Sequence, residues 1–211
     1  GDASLGCGPV WEALCLAAMD QYKKLWEGEY KGGLPLIMNI FNNQYGMGGQ
    51  TSGETMGYGM PARVGAGVNP EQMHSERIDG FNPLAVIDAL RRKKKIIEDK
   101  EGPVLIDTVT YRFSGHSPSD ASSYRTKEET DAWMEFDPIN AFRRQLVEAG
   151  VEADKTFEGI LSDARELITK TLKLVIDDEV SPRMDLIKEP QAIEKFMFSN
   201  QKVEKMEERK C

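Results

Sequence analysis

The hydrophobic positions of this chain follow two periods that alternate along its length. Over residues 9–26, Trp11, Leu14, Cys15, Ala18 and Leu25 recur at roughly helical spacing and give one apolar side. Pro9 suits the first helical position, where its missing N–H would be unpaired anyway. Residues 27–33 are polar with several glycines and read as a loop. Residues 34–41 (LPLIMNIF) are a short, largely apolar run, which predicts a strand buried on both faces. The run stops at Asn42-Asn43, both turn formers.

Residues 46–67 contain eight glycines and no helical period, which predicts one long loop of the kind that often carries function. ERIDGF (76–81) predicts a short strand and turn. Asn82-Pro83 opens a helix through about Asp99, broken by Gly102-Pro103. Residues 104–113 (VLIDTVTYRF) are β-branched and aromatic and read as a strand. A second polar loop covers residues 114–124. Thr126, with Glu128 and Glu129 behind it, predicts a capped helix start, and Asp137-Pro138 predicts another helix ending near Gly150. Residues 153–178 form a long amphipathic pattern through Phe157, Ile160, Leu161, Ala164, Leu167, Ile168, Leu172 and Val175. Residues 190–210 read as a charged, weakly apolar helical tail, suited to docking or to a linker.

Helices alternating with buried-type strands imply an α/β layered sheet. Two convincing strands and one weak one are fewer than a doubly wound sheet usually holds. The expected fold is therefore a partial doubly wound, mostly parallel sheet with flanking helices, its N-terminal strands missing, and a helical C-terminal tail. Residues 1–189 are expected to form the α/β domain and residues 190–211 the tail. The opening on Gly1-Asp2-Ala3, with no methionine, looks like a cut inside a larger protein.

Composition narrows the function classes. The 211 residues are 40% hydrophobic and 29% charged, a globular balance. No apolar run approaches the ~20 residues of a membrane helix, and no basic-then-apolar leader precedes the first helix. The net charge of −8 argues against a general nucleic-acid surface. Three cysteines without a CxxC fit reduced thiols in a cytoplasm and imply no zinc site.

Three segments could carry chemistry. In the first, Asp2 precedes small residues and then a helix N-terminus, a turn that points backbone N–H groups at an anion. The Asp2 carboxylate would repel a bare phosphate, but the two fit together if magnesium, which takes oxygen ligands, lies between them. The plain alternative is a surface Asp in a glycine-rich turn. In the second, the strand at 34–41 delivers Asn42-Asn43 to its carboxyl end, where open α/β sheets place ligands. An Asn oxygen is a suitable neutral magnesium ligand; the plain alternative is an Asx turn. In the third, His116 lies just past a strand end among glycine and hydroxyl side chains. It could donate to a phosphate oxygen or transfer protons. A Ser-His-Asp hydrolase built from Ser117, His116 and Asp120 is disfavoured, because neighbouring residues seldom orient as a triad and no G-x-S-x-G elbow is present. His74, the other histidine, is expected on the surface.

Together, Gly1-Asp2, Asn42-Asn43, NNQYGMG, ERIDG, YRFSGHSPSD and SYRTKEE resemble the α subunit of the thiamine-diphosphate-dependent E1 component of 2-oxo acid dehydrogenase complexes, in its pyruvate/acetoin branch. The resemblance implies the thiamine diphosphate-binding fold, with thiamine diphosphate and Mg2+ as cofactors. It implies that Asp2, Asn43 and the Tyr45 carbonyl bind magnesium, and that the backbone of Ala3 and Ser4 holds the diphosphate. By the same likeness His116 contacts the diphosphate region and assists proton transfer, while Tyr124 and Arg125 order its loop. Ser117 matches a position phosphorylated in some members. The implied reaction is oxidative decarboxylation of a 2-oxo acid, pyruvate foremost, with acyl transfer to a lipoyl carrier.

The chain departs from the family pattern at Ala3, usually Gly, at Gly6, often Asn, and at Ser114, often His. The stretch from Asp2 to Asn43 is also longer than usual, with the excess at about residues 21–33. A surface insertion costs little in closure entropy and need not move either end. The glutamate that activates the cofactor's pyrimidine has no candidate here. A β-subunit-like pyrimidine domain, separate or fused, is therefore an implied partner, together with a lipoyl-bearing E2 acyltransferase in a homo- or hetero-oligomer. This chain alone is expected to be inactive. Acetoin dehydrogenase E1, a transketolase-like enzyme and a non-catalytic assembly module are the alternatives.

Overall fold

The computed structural model describes residues 1–57 and 59–192. Cys211 and most of the expected tail lie outside the described residues. The chain divides into two units, Gly1–Val151 and Glu152–Cys211.

The first unit is built on three parallel strands: β1 (Ile37–Asn42), β2 (His74–Asp79) and β3 (Val104–Val109), in the order β1-β3-β2. In register, Ile37 and His74 both pair with Val104, and Asn42 and Asp79 both pair with Val109. All three strands therefore end at one level, and the loops leaving them share one edge. Side chains alternate across β3, so Val104 and Ile106 face one side and Leu105 and Asp107 the other.

Each face has its own cover. Leu105 packs with Leu5, Leu14, Ala18, Met56 and Met73, supported by Val64 and Val68. These residues come chiefly from a 3-10 turn (Asp2–Gly6), helix α1 (Gly8–Ala17) and helix α3 (Pro61–Val68). On the opposite face, Val104, Ile106 and Ile78 pack against Ala89, Val86, Ile96 and Ile97 of α4 (Pro83–Glu98).

Four expectations need correction. The helix expected over residues 9–26 is two, α1 and α2 (Gln21–Lys24). The Asn69 amide binds both the Ala18 carbonyl and Asp20 Oδ1, each at 2.9 Å, and ends the first helix there. The loop expected over residues 46–67 contains α3, which starts on Pro61. Its two glycines weaken helix propensity, but a Cβ on Gly65 would collide with Ser75 Oγ and press on Leu105, so close packing selects glycine there. The strand expected through residue 113 ends at Val109. Finally, β1 is not buried on both faces. Met38 and Ile40 join the core beside Leu105, but Phe41, on the other face of this edge strand, is 55% exposed.

Several elements follow their caps. Asn82 Oδ1 accepts from the Leu84 and Ala85 N–H groups at the start of α4. Thr126 Oγ1 accepts from Glu129 N to start α5 (Lys127–Met134), and Asp137 Oδ1 accepts from Ile139 N to start α6 (Pro138–Glu148). In the second unit, α7 runs Asp154–Ile176 as its amphipathic pattern predicts. No helix among the described residues is long and apolar enough to cross a membrane.

Candidate functional site at the carboxyl edge of the sheet

The loops leaving β1 and β3 meet the N-terminal turn at one edge of the sheet. Asp2 lies in the 3-10 turn and is 1% exposed. Its Oδ2 accepts a 2.8 Å hydrogen bond from the Gln44 N–H, which joins the first candidate segment to the second. Its Oδ1 is buried and has no hydrogen-bond partner. A buried carboxylate oxygen without a partner is costly unless something positive meets it. Beside it, Asn43 Oδ1 accepts from Tyr45 N at 3.0 Å, so the Asx turn of the plain alternative does form. That oxygen keeps a second lone pair. The turn needs a left-handed residue, supplied by Gln44 at φ 64°. Among the described residues no three His, Cys, Asp or Glu side chains gather as a metal cluster. One carboxylate with amide and carbonyl oxygens is instead a hard-oxygen donor set, suited to magnesium.

The loop after β1 is held from below. Asn42 is buried and its Nδ2 donates to Asp107 Oδ1 at 2.9 Å. Asp107, on the central strand and 0% exposed, also lies 3.4 Å from the Ala62 N–H at the start of α3 and 3.8 Å from Arg77 Nε. The Ala3 departure is accommodated: Ala3 is not among the positive-φ residues, and its Cβ faces Gly46, where an added Cβ would sit 3.3 Å away. The Ser4 N–H is engaged by the Gly1 carbonyl at 3.2 Å. The longer spacer forms α2 and a 3-10 turn (Gly28–Tyr30), both before β1 begins.

The third segment reaches the second through Arg112. Its Nη2 donates to the Gly46 carbonyl at 2.9 Å and to Tyr124 Oη at 3.0 Å. Its Nη1 is 3.0 Å from His116 Nδ1. Asp120 closes the loop by accepting from His116 N, Ser122 N and Tyr124 Oη at 2.7–2.8 Å. Those backbone N–H groups hold its carboxyl down at about 2. A Cβ on Gly115 would strike the Asp120 carbonyl oxygen, so this closure requires glycine there. Arg125 donates to the carbonyls of Arg112 and Ser114 and to Ser122 Oγ. Its guanidinium also lies 5.3–5.6 Å from the ring centres of Tyr45, Tyr111 and Tyr124. A hydrolase triad is not assembled: Asp120 binds the backbone of His116 rather than its ring, and Ser117 Oγ pairs with Ser119 Oγ. His74 is half-buried at the start of β2, with Nε2 2.9 Å from the Glu101 carbonyl.

A small cavity of about 100 Å³ opens beside Asn43 and Tyr45, lined further by Thr110, Tyr111, Glu129 and Trp133. Glu129 Oε1 accepts from Tyr45 Oη at 2.7 Å and Tyr111 Oη at 3.0 Å. Burial first, then Glu129, push the Tyr45 hydroxyl up to about 12, so it serves as a donor. Asp107, Arg112 and Glu129 frame the site, yet sequence reasoning gave them no such role. Asp107 is the one signal that could have been read, as an acidic residue inside an otherwise apolar strand.

The model of the family described as "Dehydrogenase E1 component" matches residues 1–182. Among curated relatives, the chain is 32% identical over 187 residues to the mitochondrial pyruvate dehydrogenase E1 component subunit alpha type I of Ascaris suum, covering 86% of this chain and 42% of the relative. It is 29% identical over 194 residues to the pyruvate dehydrogenase E1 component subunit alpha of Bacillus subtilis, covering 89% and 47%. With the mitochondrial subunit of Schizosaccharomyces pombe it shares 31% over 191 residues, covering 90% and 42%. The chain thus spans less than half the length of these relatives.

Proposed function

The chain belongs to the dehydrogenase E1 component family, and from that premise we propose that it holds the magnesium-diphosphate end of thiamine diphosphate in an enzyme that decarboxylates a 2-oxo acid, pyruvate by the names of its relatives. The observation that carries this reading is the buried, unpartnered Asp2 Oδ1, held beside the Asn43 turn by the Asp2–Gln44 hydrogen bond. Asp2 Oδ1, Asn43 Oδ1 and the Tyr45 carbonyl are the proposed magnesium ligands.

When bound, thiamine diphosphate supplies the carbon nucleophile and electron sink for decarboxylation. The residues of this chain bind and orient it. The turn at Ala3 and Ser4, leading into α1, faces the diphosphate with backbone groups, and Ser4 N–H would trade its 3.2 Å contact with Gly1 for a phosphate oxygen. Asp107 positions the turn through Asn42, and Arg112 brings the His116 loop against Gly46. A pyrimidine-binding β-subunit-like partner and a lipoyl-bearing E2 acyltransferase complete the proposed assembly, as the relatives' designation as alpha subunits suggests.

Calorimetry of thiamine diphosphate with Mg2+ on the full-length protein and its β-type partner tests the assignment. Asp2→Ala is expected to abolish the magnesium-dependent part of binding. Unchanged magnesium dependence overturns the ligand set.

A further inference from the structure

We infer that Arg112 is a positioning residue that sets the ring tautomer of His116, so that His116 meets the site's occupant as a hydrogen-bond donor through Nε2. A guanidinium carries five N–H donors and no acceptor. Arg112 Nη1 lies 3.0 Å from His116 Nδ1, so the contact is a hydrogen bond only if Nδ1 accepts. An imidazole whose Nδ1 accepts carries its proton on Nε2.

Both partners are anchored. Arg112 is tied to the Gly46 carbonyl and to Tyr124 Oη, and its own carbonyl accepts from Arg125, while its Nε is buried without a hydrogen-bond partner. His116 is pinned by its backbone N–H to Asp120 Oδ2 at 2.7 Å, next to Gly115, whose lack of a Cβ allows that approach. Nε2 has no hydrogen-bond partner among the described residues, and His116 is exposed, so its donor is free for an anionic oxygen.

The consequence sharpens the role read from sequence. In this arrangement Nε2 cannot accept a proton, because it already holds one. Nδ1 can accept a proton only if Arg112 leaves, since two N–H groups would otherwise face each other. His116 therefore orients an oxygen, and a proton-shuttling role requires Arg112 to disengage. That the oxygen belongs to the diphosphate or to a substrate rests on the function proposed above; the tautomer does not.

The test is a long-range 1H–15N correlation spectrum of the full-length protein labelled with 15N-histidine, with His116→Gln used to identify the His116 signals. The expected spectrum shows the ring proton on Nε2 alone. In Arg112→Met a Nδ1–H form is expected to appear, and Arg112→Lys, which also donates and cannot accept, suppresses it. A proton on Nδ1 in the unmodified protein overturns the inference, as does a Nδ1–H form absent from Arg112→Met. Should Arg112→Met lose the fold, Tyr124→Phe removes one anchor of Arg112 and is expected to reveal the same minor form, whose absence would count equally against it. In the assembled enzyme, His116→Gln keeps a donor and is expected to lose less turnover than His116→Ala, which loses about tenfold. Equal losses in the two variants overturn the donor role. If magnesium dependence survives Asp2→Ala while the tautomer is as stated, the proposed ligand set falls and this inference stands.

Discussion

The two loops that leave β1 and β3 end side by side, yet different forces hold them. The β1 loop is fastened into the interior: Asn42, Asp107 and Asp2 are all nearly inaccessible to water, and each hydrogen bond there replaces solvation already lost. The β3 loop is stapled nearer the surface by Asp120, Arg112 and Arg125, which are only half-buried. Buried polar pairs are expensive to break, because the remaining partner stays dry. Surface networks are cheaper to break, and their loss is local. The first loop is thus suited to a rigid binding site and the second to a part that can be reordered without unfolding the sheet.

The largest expected effect breaks the interior fastening. Asp107→Leu leaves Asn42 Nδ2 and Arg77 without their acceptor and is expected to cost about 3 kcal/mol in urea unfolding. A change confined to the β1 loop, with the unfolding midpoint intact, would erase the distinction between the two loops. Next is Asp2→Ala. It removes the acceptor of one backbone N–H, about 1 kcal/mol, and relieves an unpartnered buried oxygen, so stability without magnesium should shift little. The rise in melting temperature produced by magnesium with thiamine diphosphate should vanish.

Smaller and local is Arg125→Met. Amide exchange in residues 113–122 is expected to speed about tenfold, with the urea midpoint of the sheet nearly unchanged. A matching global loss would mean that this loop, too, is part of the core. The smallest effect is pH-dependent. The Asp120 carboxyl is depressed to about 2 from an ordinary 3.8, so its contribution to loop order is full above the ordinary value and is lost as pH falls through about 2. The His116 and Ser122 amide resonances should titrate together there, and Asp120→Asn should remove that step. Titration near the ordinary carboxyl value would show that the staple is open in solution.

A second contrast separates helices α4 and α7. Both carry an amphipathic pattern readable from sequence. α4 buries Ala89 and Lys93 against the sheet, whereas no residue of α7 is buried and Leu167 is 66% exposed. Periodicity states that a helix has a face to cover and says nothing about what covers it.

Much of the fold was legible locally. The caps at Asn82, Thr126 and Asp137 and the β-branched run of β3 depend on residues within a few positions of one another. The break between α1 and α2 was not legible, because it is made by Asn69, 51 residues from Ala18. Helix α3 was hidden by its glycines, of which Gly65 is required by the neighbouring strands at Ser75 and Leu105.

The sequence by itself singled out three segments, at Asp2, Asn43 and His116, as candidates for the chemistry, and determined that they belong with alternating helices and strands. It could do so because the residue types and their order are local, and because they match a family pattern. Only the tertiary structure decided that Asp2 meets Gln44 and leaves one buried oxygen bare, that Asp107 supports Asn42, and that Arg112, held at Gly46, lies against the His116 ring. The first two contacts join residues 42 and 65 positions apart, and the third depends on the distant Gly46 carbonyl that holds Arg112; their geometry arises from the common level at which parallel strands end.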